Sequence, residues 1–203
     1  MPFWEHPTSA ASPAVLASEV ARRAGLSAAL ATLYPEPTAI IFEIGCGHGH
    51  FLSAYAAAHT EQRCLGVDLV TQRIERANRK QTRLGLHNLA FLKADASETL
   101  DCLPAHVRLA GVFVLFPDPW PKRRYEHRRL LQTCLLNALT ARADLGTWLA
   151  LRTDDSAFFN WANKQITNQL SFKIDPLASW PFEHTSYFQE IKGVHQSIVA
   201  MKC

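Results

Sequence analysis

The chain has 203 residues, 48% of them hydrophobic and 19% charged, a length and balance that one globular domain with a sizeable core accommodates. This composition excludes a disordered or collagen-like polymer, and no run approaches the ~18 uninterrupted apolar residues of a membrane span. The net charge of +3 is small but unevenly placed. Residues 71–84 carry Arg73, Arg76, Arg79, Lys80 and Arg83 against Glu75, and residues 122–129 carry Lys122, Arg123, Arg124, Arg128 and Arg129 against Glu126. Ten of the 21 Lys and Arg thus sit in two short blocks, and the rest of the chain is net acidic. Either block alone reads equally well as a solvated face; two of them in an acidic chain point to a polyanionic partner.

At the N-terminus, MPFWEHPTS has no basic stretch followed by an apolar one, so a secretory signal is not expected. The Ala-rich residues 10–33, with Glu19, Arg22 and Arg23, read as a helix. Residues 1–37 form an N-terminal helical extension to a core over 38–203, the whole being one domain. Cys46, Cys64, Cys102, Cys134 and Cys203 are odd in number, scattered and without a C-x-x-C pair, which suggests reduced thiols in a cytosol and neither a disulfide framework nor a zinc site.

Past Pro35 and Pro37, short apolar runs alternate with helical patterns. Ala39 to Phe42 reads as a strand, followed by a glycine-rich turn and a helix from about Phe51 to His59. Cys64 to Leu69 is a second strand, leading to a helix over 71–84 whose five basic side chains fall within an arc of about 120°, with Ile74, Ala77 and Leu84 on the adjoining arc. Asn88 to Asp95 is a third strand before a shorter helix. Leu109 to Phe116 is almost continuously apolar, as a strand buried on both faces requires. Leu130, Leu131, Cys134, Leu135 and Ala138 recur at helical spacing, Thr147 to Asp154 forms a fifth strand, and Phe158, Phe159, Ala162 and Ile166 mark the next helix face. Phe172 to Asp175 and Ser197 to Met201 are expected to pair antiparallel at the end. This alternation predicts a doubly wound α/β fold: a mostly parallel seven-stranded sheet with helices on both faces and an antiparallel last strand.

Four acids recur at strand ends: Glu43, Asp68, Asp95 and Asp118. Each alone is equally well a helix cap. Ligands of open α/β sheets bind outside the carboxyl ends of the strands, so four in succession are expected to converge on one crevice. Glu43 opens the run Glu43-Ile44-Gly45-Cys46-Gly47-His48-Gly49. A dinucleotide fingerprint requires Gly or Ala at position 50, where this chain has His. The spacing is instead G-x-G-x-G at Gly45, Gly47 and Gly49, a turn able to wrap an amino-acid moiety, with Asp68 placed to accept from ribose hydroxyls. Together with Asp68 and Asp95 the turn resembles the S-adenosylmethionine site of the Rossmann-like class I methyltransferases. Cys46, His48 and His50 crowd this same turn without a complementary ligand set, so no metal is expected.

From Phe116 the chain reads FPDPWPKRRYEHRRL. This run closely resembles the bacterial tRNA (guanine-N7)-methyltransferases, a likeness extending from about Ile40 to Met201. It implies S-adenosylmethionine as cofactor, tRNA as partner and methylation of a variable-loop guanosine; with the scattered cysteines and the lack of a long apolar run, a cytoplasmic enzyme with neither membrane nor metal is expected. By the resemblance, Glu43, Asp68, Asp95 and Asp118 match the cofactor-binding acids, Asp118 also matches the position credited with catalysis, and Lys122 and Asp154 match substrate contacts. Arg123 joins Lys122 as a candidate phosphate contact. Thr185, Ser186, Tyr187 and Phe188 match the C-terminal substrate segment in part: Phe188 stands where the family has Glu, and Glu190 lies two residues on. Pro117 and Pro119 stiffen the loop presenting Asp118, and Trp120 is either a core filler or a stacking surface for a base. Guanine nitrogen-7 already holds an in-plane lone pair, so Asp118 is expected to orient groups and not to remove a proton. Two other readings remain at this point: a catalytically weak tRNA-binding protein on the same fold, and a methyltransferase for a small molecule or protein.

Overall fold

The structure, a computed structural model, describes residues 12–184 and 194–203. Its elements in order are α1 (Pro13–Leu33), β1 (Thr38–Ile44), α2 (His50–Ala58), β2 (Arg63–Asp68), α3 (Thr71–Leu84), β3 (Leu89–Lys93), α4 (Ala96–Cys102), β4 (Val107–Leu115), a 3₁₀ helix (Arg123–Arg128), α5 (Thr133–Arg142), β5 (Ala143–Thr153), α6 (Ser156–Thr167), β6 (Phe172–Ile174) and β7 (Gln196–Lys202). Local chemistry sets several boundaries. Pro13 occupies the first turn of α1 behind Ser12, whose side chain accepts from the Val15 N–H. Gly85 ends α3 in a left-handed conformation. Asp155 caps α6 through the Phe158 N–H.

The seven strands pair in the order β3-β2-β1-β4-β5-β7-β6. Strands β1 to β5 are mutually parallel, and β7 runs antiparallel to both β5 and β6. The doubly wound sheet with an antiparallel last strand is therefore present as read from the sequence. Alternation along β1 divides the core: Ile40, Phe42 and Ile44 face one side with residues of α1, α4, α5 and α6, while Ile41 faces the other with residues of α2 and α3. On that second face the fully buried Phe113 ring is met edge-on by Phe51 at 4.7 Å and Trp148 at 4.6 Å between centroids. Truncating such a ring to Ala typically costs about 3–5 kcal/mol, so this cluster fixes α2 over the central strands.

Two positions differ from the sequence pattern. Helix α5 begins only at Thr133, so Leu131 is buried ahead of it and Cys134 is exposed, while Leu135, Leu136 and Leu139 form its buried face. Leu84, placed on the apolar arc of α3, is 52% exposed at the last helical position, directly before the Gly85 cap. Helix α1 docks on α4 through Arg22 to Glu98 and Arg23 to Asp101, and buries Leu30 in the first core. No helix among the described residues is long and apolar enough to cross a membrane.

The chain winds from β1 outward to β3, then crosses to β4 on the other side of β1. That reversal opens the crevice at the carboxyl ends of β1 and β4.

Candidate active site

The strand order dictates the order of the acids along this edge: Asp95, Asp68, Glu43, Asp118 and Asp154 lie at or just past the carboxyl ends of β3, β2, β1, β4 and β5 in turn. Glu43 lies within β1 and is 3% exposed. Its Oε2 is buried with no hydrogen-bond partner among the described residues. Burial pushes the carboxyl up to about 8, against a hydrogen bond from the Leu52 backbone that lowers it. A buried acid with a free oxygen at the mouth of a glycine turn suits a cationic or N–H-rich ligand.

The turn itself is folded onto β2, since the Gly45 and Cys46 amides donate to the Val67 carbonyl at 2.9 and 3.0 Å. Gly45, Gly47 and Gly49 all have positive φ. A Cβ at Gly45 or Gly47 would meet nothing within 4 Å, whereas one at Gly49 would lie 2.5 Å from the Phe91 ring and 2.9 Å from Ala77 Cβ. The first two glycines thus leave the main chain open to a ligand, and the third packs the turn against β3 and α3. Asp68, at the end of β2, accepts from the Gly47 N–H at 3.1 Å, the Val70 N–H at 2.8 Å and Arg73 Nη1 at 3.3 Å. Lys80 donates to the His48 carbonyl at 3.1 Å. Desolvation pulls this ammonium down to about 8, helped by Arg83 and opposed by Glu43. Burial, then Arg76, Arg73 and Lys80, lower the His48 pKa, which favours its neutral form. Burial likewise pushes the Cys46 thiol up, leaving it unreactive. Among the described residues no group of three or more His, Cys, Asp or Glu could hold a metal ion.

Asp95 is exposed, and its Oδ1 caps α4 through the Ser97 and Glu98 amides at 2.8 and 3.1 Å. The capping alternative is therefore realised here, on one carboxylate oxygen.

Asp118 is exposed three residues beyond β4. Its loop is bracketed by the only two non-glycine residues with positive φ among those described, Phe116 (49°) and Trp120 (43°). Such a conformation costs of order 1–3 kcal/mol per residue and persists where the surroundings impose it. The surroundings are identifiable. On one side the Phe116 N–H donates to the Arg152 carbonyl at 2.8 Å. On the other, Arg129 donates from Nε to the Pro119 carbonyl at 3.0 Å and from Nη2 to that of Trp120 at 3.5 Å. Arg129 is 8% exposed and lies over the Trp161 ring at 5.1 Å. Of the basic block, Lys122, Arg123, Arg124 and Arg128 are exposed and Arg129 is not. Trp120 is half-buried, edge-on to Tyr125 at 5.8 Å, with the Arg128 guanidinium 5.1 Å from its ring centre, so it is a rim side chain and not a core filler.

Asp154 is exposed immediately after β5. Arg152, two residues earlier, is 4% exposed: it donates to Glu183 Oε1 at 2.7 Å and Ser197 Oγ at 3.2 Å, and stacks 3.9 Å from the Trp180 ring centre. These bonds draw Glu183 to the carboxyl end of β5. Thr185, Ser186, Tyr187, Phe188 and Glu190 lie outside the described residues. Sequence reasoning missed Arg129, Arg152 and Lys80 as site-shaping residues. A single Arg inside the apolar strand LALRT was a usable signal for a buried partner; nothing in KRRYEHRR distinguishes its last Arg from the others.

A crevice of strand-end acids at the reversal of a seven-stranded sheet, entered by a left-handed glycine turn, defines the class I methyltransferase fold. An rRNA methylase from Streptococcus thermophilus shares this fold, with a TM-score of 0.57 at 13% identity over 90% of this chain and 94% of that one. The sequence profile of the family described as "Putative methyltransferase" matches residues 37–197, and the chain belongs to that family. Among curated proteins it is 33% identical over 142 residues to the tRNA (guanine-N(7)-)-methyltransferase of Rhodospirillum rubrum, covering 70% of this chain and 55% of that protein. It is 31% identical over 153 residues to the protein of that name from Treponema pallidum, covering 75% and 61%. The chain thus spans between one half and two thirds of the length of these relatives.

Proposed function

We propose that this chain transfers a methyl group from S-adenosylmethionine to nitrogen-7 of a guanosine in the variable loop of tRNA, as a cytoplasmic enzyme. The observation that carries the reading is the FPDPWPK loop, which presents Asp118 just past the end of β4, the neighbour of the strand that holds Glu43, with four exposed basic side chains behind it. The names of the curated relatives support nitrogen-7 as the acceptor.

The residues present fit the cofactor. The orphaned buried Glu43 Oε2 suits an amino-acid ammonium, and the open main chain at Gly45 and Gly47 suits close approach. Asp68 would take the ribose hydroxyls, for which Arg73 must yield its share of Oδ2, and the Asp95 oxygen not used in capping would take the adenine amino group. When bound, the cofactor supplies a methyl group on a cationic sulfur. Because guanine nitrogen-7 holds its own lone pair, acceptance of that methyl group would require no proton to be removed by the chain. What the chain contributes is placement. Asp118 accepts hydrogen bonds from the guanine N–H donors and fixes the base in line with the methyl group. Lys122, Arg123, Arg124 and Arg128 hold phosphates without reading sequence, and tRNA shape selects the exposed loop base. Asp154, Thr185, Tyr187 and Phe188 complete the substrate contacts.

Incubation with methyl-tritiated cofactor and unmodified tRNA tests the reading. The expected result is label in 7-methylguanosine. Label in another nucleoside or in no RNA overturns it, and tight tRNA binding without transfer favours a binding protein on the same fold.

A further inference from the structure

The loop carrying Asp118 has an unusual hydrogen-bonding problem. Pro117, Pro119 and Pro121 supply no N–H, so the loop has few donors of its own while its carbonyls still need partners. Two residues bracketing Asp118 are held at positive φ, a backbone state that requires outside support. On the Phe116 side that support is a main-chain bond to β5, which any side chain at position 152 would preserve. On the Trp120 side it is a side chain, the buried guanidinium of Arg129.

We propose that Arg129 is a positioning residue of this site: its guanidinium takes the Pro119 and Trp120 carbonyls, holds Trp120 in its left-handed conformation, and thereby sets where Asp118 stands. The inference rests on the methyltransferase reading above for its consequence, though not for its geometry. Arg129 suits the task because a planar guanidinium presents several N–H donors in a fixed fork. Its Nε and Nη2 face two successive carbonyls, and Trp161 of α6 provides an aromatic surface for its charge. Glu126 approaches Nη1 at 4.0 Å and supplies a nearby negative charge. The burial that enforces this arrangement removes Arg129 from the tRNA-facing charge: an 8% exposed guanidinium already bonded to two carbonyls is no phosphate clamp. A Lys at this position keeps the charge and reaches one carbonyl; a Met keeps the packing and reaches neither.

The test compares Arg129→Lys, Arg129→Met and Trp161→Leu with the parent in three measurements. The first is the single-turnover methylation rate at saturating tRNA and cofactor, expected to fall at least tenfold in Arg129→Met and less in the other two. The second is tRNA affinity across a salt series, where the dissociation constant should stay within about twofold and the log–log slope should not change. The third needs no activity: trypsin should cut after Lys122, Arg123 and Arg124 faster in the variants, as the proline loop and the first turn of the 3₁₀ helix that follows it lose their support. Weaker tRNA binding with a slope reduced by about 0.7–0.9, at an undiminished saturating rate, would make Arg129 a phosphate contact and overturn the proposal. Parental rate and parental cleavage in Arg129→Lys and Trp161→Leu would overturn it too, even if Arg129→Met fails to fold. A parent that methylates no tRNA would remove the proposed function, and the tryptic comparison would still decide whether Arg129 holds the loop.

Discussion

The two basic blocks are alike in sequence and unlike in structure. Each has five basic residues against one Glu. In α3, Arg73 and Lys80 are engaged at the glycine turn, one by the Asp68 carboxylate and the other by the His48 carbonyl, while Arg76, Arg79 and Arg83 point into solvent; Arg73 keeps part of its side chain exposed as well. In the 122–129 block only Arg129 turns inward, and the four remaining side chains stand in the open directly after Asp118. A count of charges therefore overstates what each block offers a partner. The helix divides its charge between the glycine turn and solvent, whereas the 3₁₀ block keeps most of its charge exposed after the loop that carries Asp118.

The largest effect is expected at Asp118. Replacing it with Ala should lower the turnover number by about 10²-fold while leaving tRNA affinity nearly unchanged, since an orienting group acts on reacting geometry. Single-turnover and binding measurements separate the two. A unit-slope rise of the log rate through a carboxylate titration, lost in Asp118→Asn, would instead make it a base.

Glu43 supplies a pH signature on the α3 side. Burial pushes its carboxyl up to about 8 from an ordinary value of 4.5, so between those values the folded state holds a proton that the unfolded chain has released. Stability should therefore fall as pH rises from about 4.5 to 8, by up to about 1.4 kcal/mol per unit, and level off above. His48, with its lowered pKa, acts in the opposite direction near its own titration, so the comparison is parent against Glu43→Gln by denaturant unfolding. If binding requires the ionised acid, cofactor affinity should rise with pH up to about 8 in the parent and lose that slope in Glu43→Gln.

Much of this was legible in the sequence, for reasons that can be stated residue by residue. The parallel strands β1, β2 and β4 and the second half of β5 are largely buried on both faces, so they read as apolar runs, and their ends mark the crevice without further information. The amphipathic α3 was legible over its full length because Ile74 and Ala77 sit on a helical period and Gly85 stops it. What was not legible is direction at short range. Arg128 and Arg129 are neighbours in one charged run, yet one is exposed over Trp120 and the other buried over Trp161. That difference is set by Trp161 of α6, 32 residues downstream, and by Pro119 of the proline loop, ten residues upstream, and neither leaves a periodic trace. Asp95 shows a different limit, since capping and ligand binding ask for the same residue type at the same place. Arg152 lies between these cases: its charge inside an apolar strand announced burial, but Glu183, Trp180 and Ser197 could be identified only from the fold.

Asp68→Ala should weaken cofactor binding by about 1.5–3 kcal/mol, the usual range for hydrogen bonds to a charged group. Calorimetry with the intact chain measures it, and unchanged affinity would remove Asp68 from the site. Lys80→Met should cost less, a few-fold in the same affinity, because Lys80 touches the turn only through the His48 carbonyl. An effect as large as that of Asp68→Ala would mean that Lys80 contacts the ligand itself.

The smallest effects test the comparison most directly. Log–log plots of tRNA affinity against salt lose roughly 0.7–0.9 of slope for each phosphate contact removed. Lys122→Ala and Arg123→Ala should each show that loss, because both side chains are exposed directly after the Asp118 loop. Arg73→Ala should show less, since its guanidinium is already engaged by Asp68. Arg83→Ala should show least, as it lies at the far end of α3, ten residues and about 15 Å along the axis from Arg73. A reversed order would place the RNA along α3 and leave the 3₁₀ block as solvated surface. Equal slopes for all four variants and the parent would mean that neither block meets the phosphates, and tRNA would then have to be held by shape and by the residues around Asp154 alone.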